Sequence, residues 1–215
     1  MDGNRRWAAR QGLPKIKGHE HGAKRIQELI KTALEEKIQH LILYAWSTEN
    51  WKRSALEQKV VFEIVARFLA DAMDYFTKKG IKVIHLGRAD RIPRSLREAV
   101  QKTQEQTRNN TRLQLNLCLD YGGRDEIIRA IKKIPKDKLR GITEESFANY
   151  LDTSGIPDPD LIIRTSGECR LSNFLMWQGA YAELFFVTTL FPDFTGAEFK
   201  KILAAFRKRE RRGGK

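Results

Sequence analysis

Helix-like and strand-like stretches alternate along almost the whole of this chain. Short apolar runs such as Leu41–Ala45 and Ile81–Leu86 are typical of buried strands, and the stretches between such runs carry apolar residues three and four positions apart. This alternation predicts an α/β domain with a largely parallel central sheet flanked by helices. The predicted strands are 41–45, 81–86, 113–117, 161–163 and 183–187, and the predicted helices are 22–37, 56–77, 93–108, 124–134, 143–151 and one that Thr195 opens.

Polar or glycine-rich segments follow the predicted strands. In an open parallel sheet, ligands bind beyond the carboxyl ends of the strands. We therefore expect functional side chains in these segments, the first and last of which are longer than a turn requires. They are Ser47–Arg53, Gly87–Asp90, Tyr121–Asp125 and Arg164–Asn173.

The chain carries a large excess of positive charge. Its 215 residues include 40 Lys and Arg against 27 Asp and Glu, which gives a formal net charge of +13. Such an excess attracts anions, so nucleic acid, anionic lipid headgroups and small diphosphates all fit it as partners. The length fits one domain, residues 1–215, that buries its core without disulfides.

Cysteine content and hydropathy indicate the compartment. Cys118 and Cys169 are too few for a disulfide framework and suit a thiol-reducing environment. Met1–Arg10 is polar and basic, without an apolar segment behind it, and no apolar run approaches the length of a membrane span. We therefore expect a cytoplasmic protein.

The first eight residues concentrate groups that bind phosphate and metal. Asp2 supplies a hard oxygen ligand suited to Mg²⁺, and Arg5 and Arg6 supply guanidiniums that bind phosphate with two hydrogen bonds. Gly3 allows the backbone to approach a ligand closely. From composition alone, a frayed and charged chain end explains the same residues.

A glycine–histidine motif, Gly18–Gly22, precedes the predicted helix 22–37. Free backbone N–H groups at a helix start bind phosphate, and His19 is a donor of the right kind for a diphosphate. A metal site formed by His19 and His21 has no support from further His or Cys residues. A plain turn is the alternative.

The loop Ser47–Arg53 offers a hydroxyl, a carboxylate, an amide, an indole and cations after a buried strand. Trp51 suits a lid that closes over a substrate. The alternative is an ordinary connection in which Ser47 and Asn50 act as helix caps.

Two later features also suggest anion and metal chemistry. In Arg164–Phe174, two arginines flank a glycine and several hydroxyls, the composition of an anion-binding loop. Glu183 opens an apolar run, where a carboxylate needs a partner. A salt bridge to arginine and a metal site are both open for Glu183.

These segments together resemble the cis-prenyltransferase family, also called the undecaprenyl diphosphate synthase family. The resemblance covers nearly the whole chain, and its motifs occur in the family's order. The matching stretches are MDGNRRWA, GHEHG, YAWSTENWKR, LDYGGRDEI, DLIIRTSGECRLSNFLMWQGAYAELFF and FPDF.

The resemblance implies roles for individual residues. Asp2 is a catalytic residue and, with Glu183, a Mg²⁺ ligand, and Asn50 is the second catalytic residue. Asn4, Arg6, Lys15 and His19 line the site of the allylic diphosphate, whereas Arg164, Arg170 and Ser172 bind isopentenyl diphosphate. Ser47, Asn50 and Arg53 lie near the condensing carbon, and Glu49 and Trp51 lie in a mobile loop. The further substrate-binding residues are Gly3, Arg5, Trp7, Thr48 and Leu171.

The resemblance also implies an architecture and partners. An apolar tunnel runs between the sheet and helices 56–77 and 93–108, and it holds a growing polyprenyl chain made from a farnesyl-like primer. A homodimer is implied, in which Arg211–Gly213 reaches the neighbouring site, together with peripheral membrane contact through the product. Members have a strand before MDGN, which we expect to be missing here, and some carry arginine at the position of Lys15.

Three other classes compete with this interpretation. Trans-type prenyltransferases carry aspartate-rich DDxxD motifs, which do not occur in this sequence. A non-catalytic accessory subunit lacks the catalytic aspartate, which is present as Asp2. A nucleic-acid-binding module is suggested only by charge, and such a module needs a basic surface with stacking aromatic residues.

Overall fold

The computed structural model describes residues 1–209. The chain divides into two compact units. The first unit consists of Met1–Ile38, Asp160–Cys169 and the chain from Tyr181 onward, and the second consists of Gln39–Pro159 and Arg170–Ala180. Each unit combines helices with parallel strands, so the predicted α/β class is confirmed.

A three-stranded parallel sheet forms the centre of the second unit. Its strands are β1 (His40–Ser47), β2 (Ile81–Leu86) and β3 (Leu113–Tyr121), in the order β1-β3-β2. The central strand β3 is almost wholly buried, as expected for a strand covered on both faces. Because the strands are parallel, the segments that follow them emerge at the same edge of the sheet.

Five helices accompany this sheet, and one prediction among them was wrong. Helices are numbered along the whole chain, and the five are α3 (Ala55–Asp71), α4 (Met73–Lys79), α5 (Arg94–Thr107), α6 (Gly123–Lys133) and α7 (Glu144–Ala148). The helices of the first unit are α1 (Asn4–Arg10), α2 (Lys15–Glu35) and α8 (Gly196–Arg207). The predicted helix 56–77 is two helices, α3 and α4, separated at Ala72. Apolar spacing continues across the break because Phe68 and Phe76 pack against each other, with ring centroids 6.0 Å apart.

The first unit contains α1, α2, α8 and a pair of parallel strands, β4 (Leu161–Arg164) and β5 (Glu183–Phe186). Helix α1 packs on α2. Thr195 caps α8 as predicted, because its hydroxyl accepts a hydrogen bond from the Glu198 N–H at 3.2 Å. Across residues 1–209, the structure contains no helix with both the length and the apolar character that crossing a bilayer requires.

The glycine–histidine motif lies inside α2, so the prediction that it precedes a helix was wrong. A Cβ atom on Gly18 would lie 2.0 Å from the Asn4 carbonyl oxygen, and one on Gly22 would lie 2.3 Å from Asn4 Oδ1. The two glycines are four positions apart and therefore share one helix face. Their lack of side chains lets α1 approach α2 closely.

Candidate active site

Asp2 is fixed by its backbone beside the end of β4. Its N–H donates to Thr165 Oγ1 at 2.9 Å, and the same hydroxyl donates to the Asp2 carbonyl oxygen at 2.9 Å. The Phe191 N–H donates to that carbonyl at 3.0 Å. These bonds place the Asp2 side chain next to Arg164, whose Nη2 donates to Asp2 Oδ2 at 3.0 Å.

The carboxyl group of Asp2 is held in its charged form. Burial raises its pKa, but hydrogen bonds from Arg164 and from the Gly3 N–H outweigh burial, so the net pKa lies below the ordinary value. The side chain of Asp2 is still 40% exposed. The result is an anionic oxygen ligand that is open to solvent and lies beside a guanidinium.

Gly3 and Arg6 complete this part of the first unit. Gly3 has φ of +101°, and a Cβ atom there would lie 2.8 Å from Leu190 Cδ2, so both conformation and space require glycine. Arg6 donates to the Ser166 carbonyl at 3.1 Å and to its hydroxyl at 2.6 Å, and pairs with Glu168 at 3.2 Å. The structure thus brings Asp2, Arg6 and the segment after β4 together.

Other predicted residues of the first unit lie around α1 and α2. Trp7 is buried, its indole donates to Asp193 Oδ1 at 2.7 Å, and its ring is tilted against that of His21 with the centroids 4.4 Å apart, so it holds α1 against both residues. Asn4 Nδ2 donates to the Met1 carbonyl at 3.3 Å, whereas its buried Oδ1 has no hydrogen-bond partner within residues 1–209. On the two helices, Arg5 and Lys15 are exposed and His19 is half-buried.

Glu183 has an arginine partner, which is one of the two possibilities that the sequence allowed for it. It forms an ion pair with Arg209, whose guanidinium carbon lies 4.1 Å from the centroid of the Phe185 ring. The segment Arg211–Gly213, predicted to reach a neighbouring site, lies outside the described residues.

The donor set fits a magnesium ion that is shared with a substrate. Within residues 1–209, no three His, Cys, Asp or Glu side chains form a metal-binding group. Mg²⁺ commonly binds through one or two protein carboxylates, with waters and substrate phosphates completing its shell. The charged, solvent-open carboxylate of Asp2 suits that kind of site better than Glu183, which pairs with Arg209.

The loop after β1 forms a 3-10 helix, Thr48–Lys52, in the second unit. Asn50 Oδ1 accepts a hydrogen bond from the Ser47 N–H at 3.3 Å, so the capping role considered for these two residues is present. Arg53 pairs with Glu57 at 3.0 Å, and its guanidinium lies 5.3 Å from the Trp46 ring centroid. These contacts shape the turn that carries Asn50.

Asn173 ties Glu49 to the start of α6. Its Nδ2 donates to Glu49 Oε1 at 2.8 Å, while its Oδ1 and carbonyl accept from the N–H groups of Arg124 at 2.8 Å and Gly123 at 2.7 Å. Burial raises the pKa of Glu49, but the hydrogen bond from Asn173 and local hydrogen bonds lower it below the ordinary value. Asn173 was not among the residues singled out from the sequence, although it lies in the motif after β4.

Trp51 is anchored by a residue that sequence reasoning missed. Its indole N–H donates to Asp120 Oδ1 at 2.7 Å, and Arg91 Nε donates to Asp120 Oδ2 at 2.7 Å. Asp120 is fully buried at the end of β3. One feature of the sequence could have identified Asp120: it is a carboxylate that lies between an apolar strand and Tyr121-Gly122-Gly123.

The remaining predicted residues of the second unit are Arg170, Leu171 and Ser172, which are consecutive in the chain. Arg170 and Ser172 are exposed, and Leu171 is half-buried. Ser172 and Asn173 have φ of +49° and +67°, which is uncommon for residues other than glycine. This segment therefore adopts a specific backbone shape rather than an ordinary turn.

Comparison with known proteins identifies the family. The family model Prenyltransf, described as "Putative undecaprenyl diphosphate synthase", matches residues 1–214. The chain is 48% identical to an isoprenyl transferase of Aquifex pyrophilus and 44% identical to one of Aquifex aeolicus, and each match covers 100% of this chain and 93% of the relative.

Solved structures agree with the sequence comparison. Lavandulyl diphosphate synthase from Lavandula x intermedia, in complex with dimethylallyl diphosphate, matches with a TM-score of 0.96 at 33% identity, covering 100% of this chain and 95% of that one. A "probable undecaprenyl diphosphate synthase" from Campylobacter jejuni matches with a TM-score of 0.83 at 42% identity, covering 91% and 92%. The resemblance seen in the sequence is confirmed: the chain belongs to the undecaprenyl diphosphate synthase family and is a cis-prenyltransferase enzyme.

Proposed function

We propose that this enzyme condenses isopentenyl diphosphate with an allylic diphosphate of farnesyl-like size, and repeats the step with cis geometry to make a long polyprenyl diphosphate of the undecaprenyl kind. The observation that carries the proposal is the charged Asp2 carboxylate beside Arg164. Membership of a prenyltransferase family supports it, as does a structural relative solved with an allylic diphosphate.

In this proposal the first unit handles the departing diphosphate. The allylic C–O bond breaks and leaves negative charge on the diphosphate oxygens, which cationic groups stabilise. Asp2 would hold Mg²⁺, which would supply positive charge to those oxygens when bound. Glu183 is the proposed further ligand, and it would exchange its ion pair with Arg209 for the metal. Arg6 adds a guanidinium, and Gly3, Asn4, Arg5, Trp7, Lys15 and His19 bind or support the allylic substrate.

The second substrate is isopentenyl diphosphate. We assign its diphosphate to Arg164, Arg170, Leu171 and Ser172. The isopentenyl double bond attacks the allylic carbon as the allylic C–O bond breaks, and the resulting cation loses a proton to an oxygen of the departing diphosphate or to water. Asn50 acts at this step, with Ser47, Thr48, Glu49, Trp51 and Arg53 around the condensing carbons.

A tunnel in the second unit accommodates the product in this proposal. Helix α3 contacts α5, and its half-buried Val60, Ile64 and Val65 supply apolar wall surface. Each buried CH₂ of the growing chain contributes roughly 0.8 kcal/mol, so a long product is held firmly. We propose a cytoplasmic homodimer that contacts the membrane peripherally through its product, with the chain's positive charge serving diphosphates rather than nucleic acid.

The proposal is tested by incubating the purified protein with radiolabelled isopentenyl diphosphate, farnesyl diphosphate and Mg²⁺, followed by chromatography. We expect labelled products much longer than farnesyl diphosphate, and none after chelation of Mg²⁺. Absence of product from a folded protein would remove the proposal. Product that forms only when a second prenyltransferase subunit is added would indicate an accessory role instead.

A further inference from the structure

Asp120 occupies the carboxyl end of the central strand β3 and receives hydrogen bonds from the segments that follow both neighbouring strands. Trp51 comes after β1, and Arg91 comes after β2. The Asp120 side chain is 0% exposed, and its backbone has φ of +51°. Asp and Asn tolerate this left-handed conformation better than most residues, so the position suits either of them.

The three side chains satisfy one another. A buried carboxylate is costly unless charged and polar partners surround it, and Asp120 accepts from both Nε and Nη2 of Arg91 as well as from the Trp51 indole. The guanidinium carbon of Arg91 also lies 5.6 Å from the centroid of the Trp51 ring. Removing Asp120 would leave both the Trp51 indole N–H and the Arg91 guanidinium without this acceptor.

Trp51 and Glu49 are side chains of the 3-10 helix Thr48–Lys52 that hydrogen-bond to residues distant in the chain. Asp120 holds Trp51, and Asn173 holds Glu49. Asn50 lies between them in the chain. The position of Asn50 therefore depends on both anchors.

We propose that Asp120 is a positioning residue for the condensation step, which fixes the 3-10 helix and thereby Asn50 through the indole N–H of Trp51. This inference rests on the proposed function, which places Asn50 at the reacting carbons. The competing view is that Asp120 only compensates the charge of Arg91 and stabilises the fold.

The test compares D120N, W51F and the double variant with D152N. Asn keeps the shape and the left-handed conformation, but it is neutral and replaces one of the two carboxylate oxygens with an NH2 donor. One of the two donor groups that bind Asp120, the Trp51 indole or Arg91 Nε, then faces the NH2 donor instead of an acceptor, and the charge that attracts Arg91 is lost. Phe keeps an aromatic ring at position 51 but lacks the indole N–H. D152N is the matched control, because it breaks the Asp152–Arg129 pair of the same unit, where Asp152 is 11% exposed.

We expect D120N and W51F each to lower kcat per folded enzyme by about tenfold to a hundredfold, because small misplacement of a reacting group is costly. KM for both diphosphates should stay within about twofold. The double variant should be less impaired than the product of the two single effects, because both changes act on the same hydrogen bond. D152N should leave kcat close to that of the wild type. In a variant that carries both D152N and W51F, the decrease in kcat should equal the product of the two single decreases.

Hydrogen exchange gives a readout that does not need activity. The amides of residues 48–52 should exchange faster in D120N and W51F than in the wild type and in D152N. Unchanged exchange, a wild-type kcat in D120N, or fully multiplicative effects of D120N and W51F would overturn the inference. A wild-type protein that makes no product would instead contradict the proposed function, while the exchange data would still decide whether Asp120 anchors the helix.

Discussion

Arg164 Nη2 lies 3.0 Å from Asp2 Oδ2, so the carboxylate proposed to bind magnesium is paired with a guanidinium proposed to bind diphosphate. The pairing links the two roles, because the Arg164 guanidinium both keeps Asp2 charged and is proposed to bind the diphosphate of a substrate. The second carboxylate oxygen, Oδ1, accepts from the Gly3 N–H at 2.7 Å, which orients the group.

Replacing Arg164 with glutamine should raise the pKa of Asp2. The pKa of this carboxyl is depressed in the folded protein, so its contribution to stability is present at neutral pH and is lost as the pH falls through the folded pKa. In R164Q this contribution should be smaller, and its loss should be complete at a higher pH. A carbon-13 NMR titration of the Asp2 carboxyl measures the shift.

The control for this titration is R207Q, which removes a cation that pairs with Glu36 in the same unit. R207Q should leave the titration of Asp2 unchanged. If Asp2 titrates identically in R164Q and in the wild type, the ion pair does not govern its charge.

Replacing Asp2 with alanine should abolish turnover and leave the fold intact. Loss of the metal-binding carboxylate is expected to lower kcat by roughly a thousandfold or more, equivalent to about 4 kcal/mol of transition-state stabilisation. The Asp2 backbone bonds to Thr165 and Phe191 do not need the side chain. Circular dichroism and steady-state kinetics measure both outcomes, and near-normal activity would exclude Asp2 from the mechanism.

Replacing Gly22 with alanine should push α1 away from α2. The added Cβ atom would lie 2.3 Å from Asn4 Oδ1, so we expect a loss of about 1–3 kcal/mol in unfolding free energy by urea denaturation, although alanine favours helices. Turnover should fall too, because Asn4 is proposed to bind the allylic substrate. G141A is the control, since no atom lies within 4 Å of its added Cβ. Equal stability of G22A and the wild type would show that the helices do not depend on this close approach.

Replacing Asn173 with aspartate should disturb the loop that carries Asn50. The change removes the donor to Glu49 and places a second carboxylate beside it. We expect kcat/KM for isopentenyl diphosphate to fall by about tenfold, consistent with the loss of a hydrogen bond to a charged group. N149D provides the control, because Asn149 is exposed and its side chain donates to the Glu145 carbonyl at 3.5 Å. Equal kinetics in N173D and N149D would contradict a role for this contact.

Local patterns predict the elements whose ends are marked by glycine. Strand β2 was predicted with its observed bounds, because its apolar run lies between Gly80 and Gly87, both with positive φ. Helix α1 was not predicted, because its packing on α2 depends on Gly18 and Gly22, which are distant in the chain. The break at Ala72 was hidden because α3 and α4 continue one apolar spacing.

The candidate site shows the same division. The rule that ligand groups follow parallel strands selected the segments after β1 and β4, and Asp2 and Arg6 lie beside the latter. The anchors of the 3-10 helix escaped prediction because they act over long separations: Trp51 and Asp120 are 69 positions apart, and Glu49 and Asn173 are 124 apart. Hydrogen bonds of this range leave no periodic signal in a sequence.

The geometry of the newly formed double bonds tests the central claim most directly. The purified enzyme is supplied with Mg²⁺, an allylic diphosphate and carbon-13-labelled isopentenyl diphosphate, and NMR distinguishes cis from trans units in the isolated product. The account predicts that the wild-type enzyme adds several isoprene units, each with a cis double bond, and that D2A adds no unit. Trans double bonds, or no incorporation of label by the folded wild-type enzyme, would contradict it.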